Sequence, residues 1–524
     1  MTHCPTCGCQ KPQSARLLSL FDSLGPIMSG PSSSHTAGMA RIGRMGRAFI
    51  NGTPQRIVLH FFGALSHTYK GHASDSAVVA GLIGEREDSP NIRHALDLAR
   101  DQGIEVLIRT HPDSTRNPNT VSMDLTRDGK TYTIAGISVG GGEIEMTELE
   151  GFSLSLRGNE SGAMFIGSNG LSRDMFESRL GPLSAFSCEQ RGDQTLYLCL
   201  GSTMLPEENP LPDLAFFPIR RILDNTLANA DPLFATLGDM VRQANGSLPE
   251  LIERYEMRRS GVTRDAVREA VRHSWETMKD SVRRGLAAKN DMLAGFLPGD
   301  DGRKLAQRAE AGQTLSGRVI GMAVARALAV METNGSMHCV VAAPTAGACG
   351  VLPGAFLSVA EARDLTDDAI VDGLLVAAAV GVIIAMRAPV SGALGGCQSE
   401  IGVASAMTAA GLVQLGGGTP EQVVQAAAIA LKNLLGLICD PVAGPVEIPC
   451  IKRNAVGVSN AFAAADMALA GITSRIPPDE VIDALINVQG LLHPDLRGNL
   501  RGGLASTATG KALKIEWYDR MKAM

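Results

Sequence analysis

The chain reads as an α+β protein, with an N-terminal mixed α/β domain, a small β-rich module of regulatory type and a large, mostly α-helical domain. Three observations lead there. Short strand-like and helical runs mingle up to about residue 151, strand-like runs dominate from 152 to 205, and beyond Ile219 the apolar periodicity is helical almost throughout.

In the first region, 17–151, residues 56–62 and 105–108 are expected as strands. Helices are expected at 39–49, 74–83 and 91–102, the last followed by Gly103 at a C-cap position. The module, 152–205, carries strand-like runs at 152–156, 163–167, 185–190 and 195–200 around a short helix at 172–180. Residues 201–214, with Pro206, Pro210 and Pro212, read as the linker to the helical domain, 215–524. There the early helices, 247–258 and 263–287, are amphipathic and charged. Later ones, at 317–332, 367–385, 419–435 and 461–470, are Ala-rich and apolar, as buried bundle helices are. Glycine-rich turns interrupt them at 346–350, 392–396 and 416–418, and no internal repeat is present.

Composition narrows the function classes. With 45% hydrophobic and 19% charged residues the chain has the balance of a globular enzyme rather than a disordered segment. Aromatics make up only 4% and glycines number 58, so the interior must be small aliphatic side chains with backbones in close approach. A net charge of −6 supplies no basic footprint for nucleic acid. The longest apolar run, 373–386, is too short to cross a bilayer, and residues 1–13 lack the apolar core of a secretory signal. A cytoplasmic location follows as the expectation, with the ten cysteines as reduced thiols, metal ligands or redox groups.

Three constellations could carry chemistry. Ser32, Ser33, Ser34, His35 and Thr36 lie between glycines just ahead of a helical run. Hydroxyls and backbone N–H groups at a helix start suit a carboxylate or phosphate, although a simple Ser/Thr N-cap has the same composition. His72, in Thr68-Tyr69-Lys70-Gly71-His72, follows a glycine before a helix and is a candidate general base, though most histidines in such places are not. Cys397, Cys439 and Cys450 each stand beside or near Gly or Pro, where three thiols could converge. Their loose spacing is not a compact ferredoxin run, and three small buried hydrophobes would look alike.

Together these motifs resemble the iron–sulfur-dependent L-serine dehydratases (L-serine ammonia-lyases). Leu24-Gly25-Pro26, Ser32-Ser33-Ser34-His35-Thr36 and Thr68-Tyr69-Lys70-Gly71-His72 are similar to that family's β region. Ala343-Pro344-Thr345-Ala346-Gly347-Ala348-Cys349-Gly350, Gly395-Gly396-Cys397-Gln398, Cys439-Asp440-Pro441 and Pro449-Cys450-Ile451-Lys452-Arg453-Asn454 are similar to its α region. The two regions, separate chains in some members, would here be fused. The resemblance implies dehydration and deamination of L-serine to pyruvate and ammonia. It implies a [4Fe-4S] cluster held by Cys397, Cys439 and Cys450, whose remaining iron acts as a Lewis acid on the substrate hydroxyl. It makes His72 the base for the Cα proton, and Ser32, Ser33, Ser34, His35 and Thr36 the holders of the substrate carboxylate. The N-terminal domain becomes substrate-binding, the helical domain cluster-binding, and the site lies where they meet. No pyridoxal phosphate is implied. Lys432 and Lys452, the only lysines between Leu305 and Asn460, stand in no Schiff-base context. A small amino acid as partner, no nucleic acid, no membrane and a homodimer complete the expectation.

Four departures keep alternatives open. Residues 1–16 add Cys4, Cys7 and Cys9. Ala73 and Ser74 replace the family's Gly-Thr after the base. Residues 334–339 and 496–501 differ from the usual forms, and the chain ends on Met524 rather than a cysteine. Changes beside a pocket could favour another β-substituted amino acid, such as threonine, a hydroxyaspartate or cysteine; a non-catalytic cluster-based sensor is the alternative from another class. Cys349 is read as near the site and Cys339 as structural, and whether 152–205 binds a regulator is open.

Overall fold

The computed structural model describes residues 18–63, 65–117, 119–201, 208–223 and 232–523. Cys4, Cys7 and Cys9 and part of the expected linker lie outside them.

The N-terminal sheet has six strands in the order Glu105–His111, Arg56–Phe62, Thr120–Arg127, Lys130–Gly140, Glu143–Leu149, Phe152–Leu156. Only the first pair is parallel, and its crossover carries the helices Ser74–Ile83 and Ala95–Asp101, as a parallel connection requires. Helices Gly38–Phe49 and Ser74–Ile83 help form a core with Ile57, Leu59, Phe61, Met123 and Leu125. Glycine is required where these two helices touch. A Cβ on Gly43 would stand 2.2 Å from the Val78 carbonyl oxygen, and one on Gly81 2.1 Å from that of Ala40.

The sheet is larger than expected. The strands of 120–149 were not anticipated, and Phe152–Leu156, read as the first strand of the module, is instead the outer strand of this sheet. The module's own sheet is antiparallel, in the order Ala215–Ile219, Gly162–Ser168, Gln194–Leu200, Ala185–Arg191, with helix Arg173–Leu180 beside it. Ala215–Ile219, assigned from sequence to the helical domain, pairs with Gly162–Ser168 because its inward residues complete the module's apolar face.

In the helical region, helices Leu248–Ser260, Arg264–Ala287, Asp367–Arg387 and Pro420–Asn433 start where expected. Ser247, Thr263, Thr366 and Thr419 each cap the backbone N–H three residues on. Asp367–Arg387 is long and apolar enough to cross a membrane by composition, but 78% of its apolar window is buried inside the protein, where it packs on Val403–Leu415. Helix Cys450–Leu469 begins at Cys450 rather than at residue 461, which puts that thiol on a helix's first turn.

Two features weld the N-terminal and helical regions. Leu20 and Leu24 are buried in the core of the helical bundle, and Ile27–Ser29 pairs antiparallel with Cys339–Val341. The segment that follows, 30–37, is thereby delivered onto the helical region.

Candidate active site

Loop 30–36 runs from strand Ile27–Ser29 into a π-helical turn, Ser33–Ala37, that opens helix Gly38–Phe49. Ser32 is its N-cap, its Oγ accepting from the His35 N–H at 3.1 Å. The N-cap reading and the anion-site reading therefore coexist. Ser32 is spent on the cap, while among the described residues the Ser33 and Ser34 N–H groups and the Ser34 hydroxyl make no hydrogen bond. Thr36 Oγ1 donates to the His72 carbonyl at 2.7 Å, and Ser74 Oγ to that of His35, tying the loop to the residues around the candidate base.

His72 is buried and its ring stacks on His35 with centroids 4.7 Å apart. His35 in turn meets Asn119 Oδ1 through Nε2 at 3.2 Å. Burial, then the His35 ring, pushes the His72 imidazole down to about 3, with the Thr68 backbone carbonyl opposing only in part. Its Nδ1 is buried with no hydrogen-bond partner among the described residues.

Cys397 lies just ahead of a second π-helical turn, Gln398–Gly402, which opens helix Val403–Leu415. π turns of this kind recur at functional sites, and here both halves of the site enter a helix through one. Cys439 is fixed by its backbone: its N–H donates to the Leu496 carbonyl at 2.8 Å and its own carbonyl accepts from Gly498 N–H at 2.7 Å. The Cys397 and Cys439 sulfurs and a carboxylate oxygen of Glu400 all lie within 4.8 Å of one another. Cys450 is outside that set but interacts electrostatically with Cys397 and Glu400. The Cys439 thiol is pushed well above its usual range, first by a hydrogen bond with Cys397 and then by burial. Burial, then the charges of Cys397 and Glu400, does the same to Cys450.

The two halves are linked. Thr345 Oγ1 donates to Glu400 Oε1 at 2.7 Å, and the next residue, Ala346, gives its N–H to Ser33 Oγ at 3.4 Å. Asn334 Nδ2 donates to the Pro31 carbonyl at 2.9 Å and to that of Ala346 at 3.3 Å. A Cβ on Gly71 would touch Pro445 at 3.3 Å, so the His72 loop packs on the segment between Cys439 and Cys450. Both departing segments thus border the site: 334–339 through Asn334, which keeps the usual residue, and 496–501 through Gly498, a changed position, whose N–H donates to the Cys439 carbonyl.

Glu400, Thr345, Asn119 and Arg453 had no role in the sequence reading. Glu400 was legible in principle, since a residue three positions beyond Cys397 at a helix start shares its face. Asn119 reaches His35 only through the sheet, and no local pattern marks it.

The buried imidazole of the N-terminal region and the converging thiols of the helical region are thus joined through Ala346 and Thr345. A family model described as serine dehydratase alpha chain matches residues 243–505, and one described as serine dehydratase beta chain matches 19–105. L-serine dehydratase 1 of Escherichia coli is 31% identical over 513 residues, covering 93% of this chain and 99% of the relative. The L-serine dehydratase of Mycobacterium tuberculosis is 31% identical over 523 residues, with 93% and 97% covered. A probable L-serine dehydratase alpha chain of Bacillus subtilis is 47% identical over 259 residues, 49% of this chain and 86% of the relative. The chain belongs to the serine dehydratase family, with the alpha and beta parts fused in one polypeptide.

Proposed function

We propose that this chain is an iron–sulfur L-serine dehydratase, converting L-serine to pyruvate and ammonia with a [4Fe-4S] cluster on Cys397, Cys439 and Cys450. The observation that carries the reading is the link Ser33–Ala346–Thr345–Glu400, which sets an anion-binding loop one short step from convergent thiols.

The donor set fits a cluster. Cys397, Cys439 and Cys450 are free of disulfides, and the Cys397 and Cys439 sulfurs converge, soft donors of the kind that hold iron–sulfur clusters. Glycines let Cys439 approach closely: a Cβ on Gly392 or on Gly498 would each stand 3.3 Å from its Sγ. When bound, the cluster supplies a Lewis acid for the substrate hydroxyl.

The remaining work falls to the chain's own residues. The Ser33 and Ser34 N–H groups at a helix head offer donors to a carboxylate, with His35 and Thr36 holding the turn in shape. His72 must be neutral to accept the Cα proton. Its burial keeps it so, and Nδ1 is the atom left free to take that proton. The enamine released then hydrolyses in water unaided. Lys432 donates to the Ser474 carbonyl and Lys452 pairs with Asp301, so neither is placed as a Schiff-base lysine and no pyridoxal phosphate enters the reading. A cytoplasmic, homodimeric enzyme of amino-acid degradation, its pyruvate open to gluconeogenesis, is the setting the family resemblance supplies.

The test is anaerobic reconstitution followed by kcat/KM for L-serine, L-threonine, a hydroxyaspartate and L-cysteine. L-Serine should be best by a wide margin. No pyruvate from L-serine with a spectroscopically intact cluster would sink the proposal, and a better second substrate would reassign it.

A further inference from the structure

We infer that Glu400 is the acceptor for the substrate's ammonium group. The inference rests on the proposed reading of L-serine as substrate, and it adds a recognition group which that reading leaves without a partner. A zwitterion entering a cleft shielded from water must have both charges met, because an unpaired one keeps its full desolvation cost. Loop 32–36 meets the carboxylate; the ammonium needs an anion.

The other carboxylates near the site are occupied or set back. Asp440 pairs with Arg453 at 2.7 Å and accepts from Leu504 N–H at 2.8 Å. Glu447 accepts the four backbone N–H groups of residues 294–297. Asp75 turns back on its own helix start, accepting from Ser76 N–H at 2.9 Å. Glu400, half-buried, forms no direct ion pair with a cation among the described residues; besides Thr345 it accepts from the Gly392 N–H and feels the Arg453 charge only at longer range. Its Oε1 is held by Thr345, beside the residue that binds Ser33, and it faces the Cys397 and Cys439 sulfurs within 4.8 Å. Glycines make the space for it: a Cβ on Gly347 would stand 3.1 Å from Oε1, and one on Gly392 would stand 2.4 Å from Oε2. The carboxylate is therefore tied to the anion loop through Thr345 and Ala346 on one side and lies beside the thiols on the other, which is the position assigned here to the α-amino group.

The experiment compares the reconstituted parent with Glu400→Gln and Thr345→Val. Cluster loading is read by iron content and visible absorption. Two affinities follow: KM for L-serine, and the inhibition constant of 3-hydroxypropanoate, which keeps hydroxyl and carboxylate but lacks the ammonium. The expected result for Glu400→Gln is full cluster loading and an L-serine KM raised about 30-fold or more, as for loss of one partner of a buried charge pair. Inhibition by 3-hydroxypropanoate should be nearly unchanged. Thr345→Val, which only frees the carboxylate, should show the same selectivity to a smaller degree. Equal weakening of both ligands would overturn the assignment. So would loss of the cluster in Glu400→Gln, which would make Glu400 an iron ligand. A failure of the serine reading shows in the parent enzyme before any variant is compared, whereas this inference fails only in the variants, by the ratio of the two affinities or by loss of the cluster.

Discussion

Arg453, on the first turn of helix Cys450–Leu469, places Nη1 3.4 Å from Cys397 Sγ while its Nη2 pairs with Asp440 at 2.7 Å. The guanidinium thus joins the helix that bears one thiol to the thiol of another loop, and it holds the Ile438 carbonyl, one residue before Cys439, at 2.8 Å. Arg453→Met should lower iron per chain and speed cluster loss to a chelator. Asp440, almost fully buried, is left without its cation, so stability should fall by about 3–5 kcal/mol, read from denaturant midpoints of the two proteins.

His72 gives a prediction with a definite sign. The unfolded imidazole protonates near pH 6.5, whereas burial holds the folded one down to about 3. As pH falls through this window the unfolded chain binds the extra proton, so folding stability present above 6.5 is progressively lost toward 3. His72→Ala should be less stable at neutral pH yet lose stability more slowly between pH 6.5 and 4. His338, pushed down to about 4 by burial and then by Arg284 and Arg93, stays in both proteins; the difference reports the stacked His72–His35 pair, since His35 is also lowered by burial and loses its neighbour in the variant. Pyruvate formation should be abolished in the same variant with the cluster absorption unchanged, and a retained rate would remove His72 as the base.

Much of this architecture was legible because its signals are local. Ser247, Thr263 and Thr419 marked helix starts that the structure places within a residue, and residues 56–62 and 74–83 form the expected strand and helix. The hairpin at Asp128 and Gly129, both with φ near the left-handed region, carried an Asp-Gly turn signal that should have revealed the strands on either side. The strand before it also alternates plainly, Val121, Met123 and Leu125 with Ser122, Asp124 and Thr126, whereas in Lys130–Gly140 the run Ile134-Ala135-Gly136-Ile137 blurs the pattern. Other elements had no local sign. Ala215–Ile219 is a strand only because Gly162–Ser168 offers it an edge, and Glu400 gains meaning only once Cys439 is brought to it. Cys450, beside Pro449, was expected at a turn or helix end, and the helix starts directly after that proline.

Glu447 organises the segment between Cys439 and Cys450. Its carboxylate takes the N–H groups of Ala294, Gly295, Phe296 and Leu297 at 2.9–3.2 Å, folding that stretch around it. Beside it, Ala294, Val442, Ala443 and Trp517 form a small core with the C-terminal helix Ala508–Ala523. Glu447→Ala leaves four donors without an acceptor and should cost about 3–5 kcal/mol, since each orphaned group costs on the order of 1 kcal/mol or more. Glu447→Gln keeps one acceptor oxygen and should cost less. Calorimetric or denaturant unfolding of the two variants checks the order, and equal effects would refute the nest as its source.

The glycines around Cys439 are a direct steric test of where the cluster belongs. Gly392 opens the short helix Gly392–Gly395, where its backbone tolerates any residue, so alanine there acts through its methyl group alone. That methyl would stand 2.4 Å from Glu400 Oε2 and 3.3 Å from Cys439 Sγ, closer than unstrained contact allows. Gly392→Ala should therefore fold with little change in helix content but load less iron, and what iron it holds should be lost faster. Gly498 differs: its φ of 77° lies in the left-handed region, so alanine there adds backbone strain to the same 3.3 Å contact with Cys439. Gly498→Ala should lose stability as well as iron. If both Gly392→Ala and Gly498→Ala loaded and kept their cluster like the parent, crowding of the Cys439 sulfur would not matter to the cluster, and the ligand set would have to be redrawn around Cys397 and Cys450.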